Sequence, residues 1–172
     1  VVYLLEDSLV GDQKMSDNSH NSSYVHRDIH RGNIDGEFHE LENTPTYIES
    51  AIKLGYDVEI DVWVVEDEFK LGHDEPTHDF PFGLIDKHHN QLWIHCKNIK
   101  ALETLKELDS MGRHINYFWH EEDTVTLTSK NYIWAYPGKQ PIKNSIAVMP
   151  EIYNDNVEGC LGVCSDYIKN YG

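Results

Sequence analysis

The sequence predicts an α/β fold built on a parallel sheet, and three observations carry that reading. Strand and helix patterns alternate in the first half, with strands near 24–29, 57–64 and 92–96 and helices near 44–54 and 98–111. Val58, Ile60, Val62 and Val64 alternate with Glu59, Asp61 and Trp63, the period-two signature of a strand. Beyond residue 111 the strand candidates follow one another too closely for full helices to fit between them, so the second half is expected to be compressed.

The chain has 172 residues, enough for one sizeable core and short for two. We expect a polar lead-in over 1–23, without apolar period, and a single domain over 24–172. Asn21-Ser22-Ser23 is a formal glycosylation sequon in that lead-in. The net charge of −16 argues against nucleic acid and anionic membrane surfaces as partners, because both need basic surface. No apolar run is long enough to span a bilayer, so stable membrane insertion is not expected. Three cysteines form no even framework and no CxxC pair, which points to free thiols and a cytoplasmic location.

Tyr24 to Ile29 forms the first strand candidate and delivers His30-Arg31-Gly32-Asn33 at its end. Thr44-Pro45 reads as a helix N-cap and first position. Tyr47, Ile48, Ala51, Ile52 and Leu54 follow at helical spacing, and Gly55 stops the helix. Residues 57–74 read as a strand, a tight excursion and a return that ends near His73. Leu92–Cys96 is a buried-strand candidate. The helix after it has Ile99, Leu102, Leu105 and Leu108 on one face and ends at Gly112. Ile115–Trp119, Tyr132–Tyr136, Ser145–Met149 and Leu161–Ser165 complete the strand candidates.

On a strand, Glu59 and Asp61 share a face. Two such carboxylates repel each other unless a cation lies between them or solvent covers them, the latter on the outer face of an edge strand. Each of the other candidates also has a plainer role when taken alone. His30 could be a strand-end surface residue, His73 a turn residue and Lys97 an exposed opening of the next helix. Arg31 could simply pair with Glu42.

Taken together, HRG, ENT, GYDVEIDV and LGHD stand in the order and spacing that resemble the glycerophosphodiester phosphodiesterase family. WIHCKN and GVCSDYI are weaker echoes of its later strands. The resemblance runs from about Ile29 onward, strongly to about Lys97. It implies a TIM (β/α)-barrel of the phosphodiesterase type. Only about 140 residues follow His30, so the barrel is expected to be shortened, with helices reduced in its second half.

The resemblance further implies hydrolysis of a small-molecule glycerophosphodiester to an alcohol and a phosphomonoester. His30 and His73 would be its acid and base, Arg31 and Lys97 would bind the phosphate, and Glu42 and Asp74 would orient Arg31 and His73. One divalent cation, magnesium or calcium by resemblance, would be held by Glu59, Asp61 and the residue at position 95. There the family has an acidic ligand and this chain has His95, which suits manganese or zinc better. Glu151 is a substitute ligand candidate. His120 to Asp123 read as an acidic rim or solvated loop, and Trp134 as a core residue or, by resemblance, a wall against the substrate's alcohol. Two alternatives stay open: phospholipase D-like or lyase action on lysophospholipids, and a catalytically silent relative that binds phosphorylated ligands.

Overall fold

The computed structural model describes residues 26–172, so the lead-in and its sequon lie outside the described residues. Among the described residues, ten strands form one mixed sheet. β1 (His26–His30), β2 (Asp57–Val65), β5 (Leu92–Cys96) and β6 (Asn116–Phe118) pair in parallel in the order β6-β5-β2-β1. On the other side of β1 lie β10 (Gly162–Ser165), β9 (Ser145–Val148) and β8 (Ile133–Ala135), also parallel. β7 (Val125–Leu127) is antiparallel to β8. β3 (Glu68–Leu71) and β4 (His78–Asp79) extend the far end of β2 as an antiparallel hairpin.

This architecture corrects the expectation of a shortened TIM barrel. The chain forms a curled mixed sheet, a half-barrel, with three short helices among the described residues: α1 (Pro45–Lys53), α2 (Phe82–His88) and α3 (Ile99–Leu108). The physical cause lies in the connections. α1 and α3 fill the crossovers β1–β2 and β5–β6, whereas the segments joining β6 through β10 contain only loops, a hairpin and one 3-10 turn. Without crossover helices, short segments cover the second half instead, and Ile168 of the closing 3-10 turn joins Val163 of β10 in the outer core. The edges β6 and β7 do not pair. Hydrogen bonds from the Ser129 N–H to the Tyr117 carbonyl (2.8 Å) and from Thr126 Oγ1 to the Trp119 carbonyl (3.0 Å) bridge them instead.

The strand period divides the core in two. Ile29, Val58, Ile60, Val62, Ile94 and Val163 pack outward against Ile48, Ala51, Ala101 and Leu105 of the helices. Trp93, Phe118, Trp134, Ile146, Val148 and Cys164 fill the opposite face, inside the curl. Truncating a fully buried residue such as Ile60 is expected to cost about 2–5 kcal/mol. Glu59 and Asp61 face inward with the second set and are buried. The edge-strand alternative therefore fails: β2 is a central strand with β1 on one side and β5 on the other. No helix among the described residues is long and apolar enough to cross a membrane.

Candidate active site

β1 ends in three consecutive functional positions. Arg31 takes a left-handed conformation (φ 52°), and its N–H donates to the Glu59 carbonyl at 3.0 Å, pinning the turn to β2. Gly32 follows at φ 97°, where a Cβ would come within 2.7 Å of the Tyr47 ring, so the glycine lets α1 close over the turn. The loop returns at Asn43, also left-handed, whose N–H donates to the Arg31 carbonyl.

His30 is buried, and its Nδ1 lies 2.8 Å from Asp166 Oδ1, just past the end of β10. The hydrogen bonds from His30 and Asn33 outweigh burial and hold the Asp166 carboxyl below its ordinary pKa, so it accepts. His30 Nδ1 therefore carries the proton, and Nε2 faces inward, 3.9 Å from Glu59 Oε2. Burial alone would lower the His30 pKa, but the Asp166 bond and the Glu59 charge overcome it and raise the value.

Asp61 is the hub. Oδ1 lies 3.0 Å from His95 Nδ1 and 3.5 Å from Lys97 Nζ. Oδ2 accepts from Asn43 Nδ2 at 3.0 Å and forms an ion pair with Arg31 Nε at 2.9 Å. The Asp61 N–H donates back to Asn43 Oδ1. Burial would raise the Asp61 pKa, yet the His95 bond and the Arg31, His95 and Lys97 charges hold it far below the carboxylate range.

Glu59 is different. Burial and the Asp61 charge push its pKa up, and its Oε2 is buried without a hydrogen-bond partner. Ligand atoms of Glu59, Asp61 and His95 lie within 4.8 Å of one another, so this cluster could hold a metal ion. The unpartnered Glu59 oxygen fits a cation there, because a bare buried carboxylate oxygen is costly without one. The same cation would compete at Asp61 with the Lys97 and Arg31 charges. Glu151 lies outside the cluster and accepts from Ser165 Oγ and the Tyr171 hydroxyl.

His73 stands in the turn after β3. Gly72 before it has φ 147°, and a Cβ there would fall 2.0 Å from the Glu75 carbonyl oxygen. Trp63 Nε1 donates to the Gly72 carbonyl, tying the turn to β2. His73 Nδ1 lies 2.7 Å from Asp74 Oδ1, and burial together with the Arg31 charge lowers the His73 pKa. His73 and His30 line one cavity of about 160 Å³ with Arg31, Glu59 and His95. His73 also borders a cavity of about 330 Å³ with Lys97 and a groove of about 720 Å³ with Arg31 and Glu42. Glu42 Oε2 accepts from Arg31 Nη1 at 3.4 Å.

Sequence reasoning passed over several participants. Asp166 sits inside the quoted GVCSDYI, and Asn33 and Asn43 adjoin HRG and stand in ENT, so each was one step from a motif already singled out. His120, read as rim, stacks on His95 at 4.4 Å and meets the Tyr136 ring at 4.0 Å in a tilted pair. Burial, with the charges of His95 and Lys97, pushes its pKa down to about 4. Trp134 is buried against Phe118 and Trp93 and forms part of the 160 Å³ cavity wall. No known protein family, curated protein or solved structure matches the chain.

Proposed function

We propose that the chain hydrolyses a small phosphodiester of the glycerophosphodiester type. The observation that carries this reading is the pair of imidazoles on one small cavity, His30 with its protonated Nδ1 fixed on Asp166 and His73 at the opening. A binding module has no need of two proton carriers. His73, with its lowered pKa, would take the proton of the attacking water or neighbouring substrate hydroxyl as the new P–O bond forms. His30, with its raised pKa, would give a proton from Nε2 to the leaving alcohol oxygen as its P–O bond breaks. Arg31, held by Glu42, and Lys97 would draw the phosphate in by charge. A divalent cation held by Glu59, Asp61 and His95 would add positive charge at the non-bridging oxygens. The imidazole in that donor set favours manganese or zinc over magnesium or calcium.

A silent phospho-ligand-binding role is the second reading, favoured by His95 standing where the resembled family has an acidic metal ligand. The deciding experiment takes metal-stripped protein with magnesium, calcium, manganese or zinc added back singly. It then follows hydrolysis of glycerophosphocholine and glycerophosphoethanolamine. Turnover with one ion supports hydrolysis. Phosphate binding without turnover, by folded protein and with every ion, supports the silent role.

A further inference from the structure

We infer that Asn33 is a positioning residue that couples the orientation of His30 to that of Arg31. This rests on the reading of His30 and Arg31 as proton donor and phosphate binder. The carboxamide of Asn33 has two N–H groups and one acceptor oxygen. Nδ2 donates to Asp166 Oδ1 and to Glu42 Oε1, both at 2.9 Å. Asp166 Oδ1 is the oxygen that receives His30 Nδ1, and Glu42 carries Arg31 on its other oxygen. One continuous path thus runs from His30 through Asp166, Asn33 and Glu42 to Arg31.

The path is stiff because Asn33 cannot turn. It is fully buried, its Oδ1 accepts from the Phe38 N–H at 3.2 Å, and its own N–H donates to the His30 carbonyl at 2.9 Å. Rotating the carboxamide would leave the buried Asp166 and the half-buried Glu42 carboxylates short of a donor at once, which costs more than the bonds themselves. A shift of Glu42 as Arg31 closes on an anion therefore reaches Asp166 and the ring it holds. Leucine at this position would fill similar space and transmit nothing.

The test is proton NMR of the 172-residue chain, following the His30 Nδ1–H resonance, identified by its loss in His30→Gln. Glu42→Gln should shift that resonance in the parent background, although Glu42 and His30 share no hydrogen bond. In the Asn33→Leu background the same substitution should leave it unmoved. An equal shift in both backgrounds, or none in the parent, overturns the coupling. If the leucine variant fails to fold, Asn33→Ser, which cannot donate to both carboxylates, takes its place under the same criteria.

Kinetics with glycerophosphocholine give a second readout. Asp166→Asn should lower kcat and Glu42→Gln should raise KM, whereas Asn33→Leu should do both, by about tenfold to a hundredfold. A variant that loses thermal stability but keeps the parent kcat and KM would show a merely structural role. A parent that turns over no glycerophosphodiester with any added metal would overturn the reading of the site, while the NMR result would still decide the coupling.

Discussion

Glu59 and Asp61 stand two positions apart on one face of β2, yet their surroundings drive their pKa values in opposite directions. Asp61 is surrounded by His95, Lys97, Arg31 and Asn43, whereas Glu59 keeps a buried oxygen without a partner. One carboxylate is satisfied by the protein and the other is left for something else.

The competition at Asp61 can be measured. Lys97→Met removes a positive charge 3.5 Å from Asp61 Oδ1. Manganese affinity, followed by calorimetry on the stripped protein, should rise by about tenfold or more, since a like charge this close opposes a cation by a few kcal/mol. Glu59→Gln should lower that affinity. Unchanged binding in both variants would place the cation elsewhere.

Activity should depend on pH as a bell. The limb at low pH belongs to His73, whose neighbours are Arg31, Asp61, Lys97 and Asp74, and should fall below the ordinary histidine pKa. The limb at high pH belongs to His30, which faces Asp166, Glu59 and Arg31, and should fall above that value. His30→Ala and His73→Ala should each cost about a hundredfold to ten-thousandfold in kcat and remove one limb. A profile that keeps both limbs in either variant would contradict the assignment.

Asp28 offers a test of stability away from catalysis. It is fully buried, and burial, then the charges of Asp57 and Glu59 and a hydrogen bond shared with Asp57, raise its pKa well above the ordinary value. The folded chain keeps this proton over a range where the unfolded chain has released it. Stability is therefore lost as pH climbs from the unfolded toward the folded pKa. Asp28→Asn should raise Tm at pH 8, by roughly 2–4 °C per kcal/mol relieved, with the gain vanishing near pH 4. An equal gain at both pH values would mean that ionisation is not the cause.

Gly72→Ala should be among the most damaging single-methyl changes. The added Cβ meets backbone, 2.0 Å from the Glu75 carbonyl oxygen, at a φ that disfavours side chains. The strain is on the order of 1–3 kcal/mol, and relieving it displaces the neighbouring His73. Thermal melting and kcat should both fall. A variant with parental kcat would show that the turn does not place His73.

The sequence made the local parts of this picture legible and left the global ones hidden. The alternation around Glu59 and Asp61 gave β2 and its loaded face, and Thr44-Pro45 with Gly55 bracketed α1. Curl and closure are properties of how distant strands meet, and no window of residues encodes them. The barrel expectation missed β4 and β7 and had no measure of what happens when β6 to β10 follow without helices. α2 went unread because seven residues seldom show a full helical period. β7 went unread because three residues with polar flanks carry no alternation. The site followed the same division. Glu59 and Asp61 stood out by sharing one strand face, and His30, Arg31 and His95 only through the resemblance of their motifs, whereas Asp166 matters only because β10 lies beside β1.

That placement of β10 has a consequence for how the protein comes into being. His30 and Asp166 are separated by 136 positions, and β10, the strand leading into Asp166, is inserted between β1 and β9 rather than added at a margin. Such distant pairing is slow to find, because the loop must close before any contact rewards it. A ribosome that has delivered everything through β9 has made a sheet split down its middle, with the His30 ring lacking its anchor. Of the described strands β10 is the last to arrive, and its insertion completes the sheet and the His30–Asp166 pairing in one step.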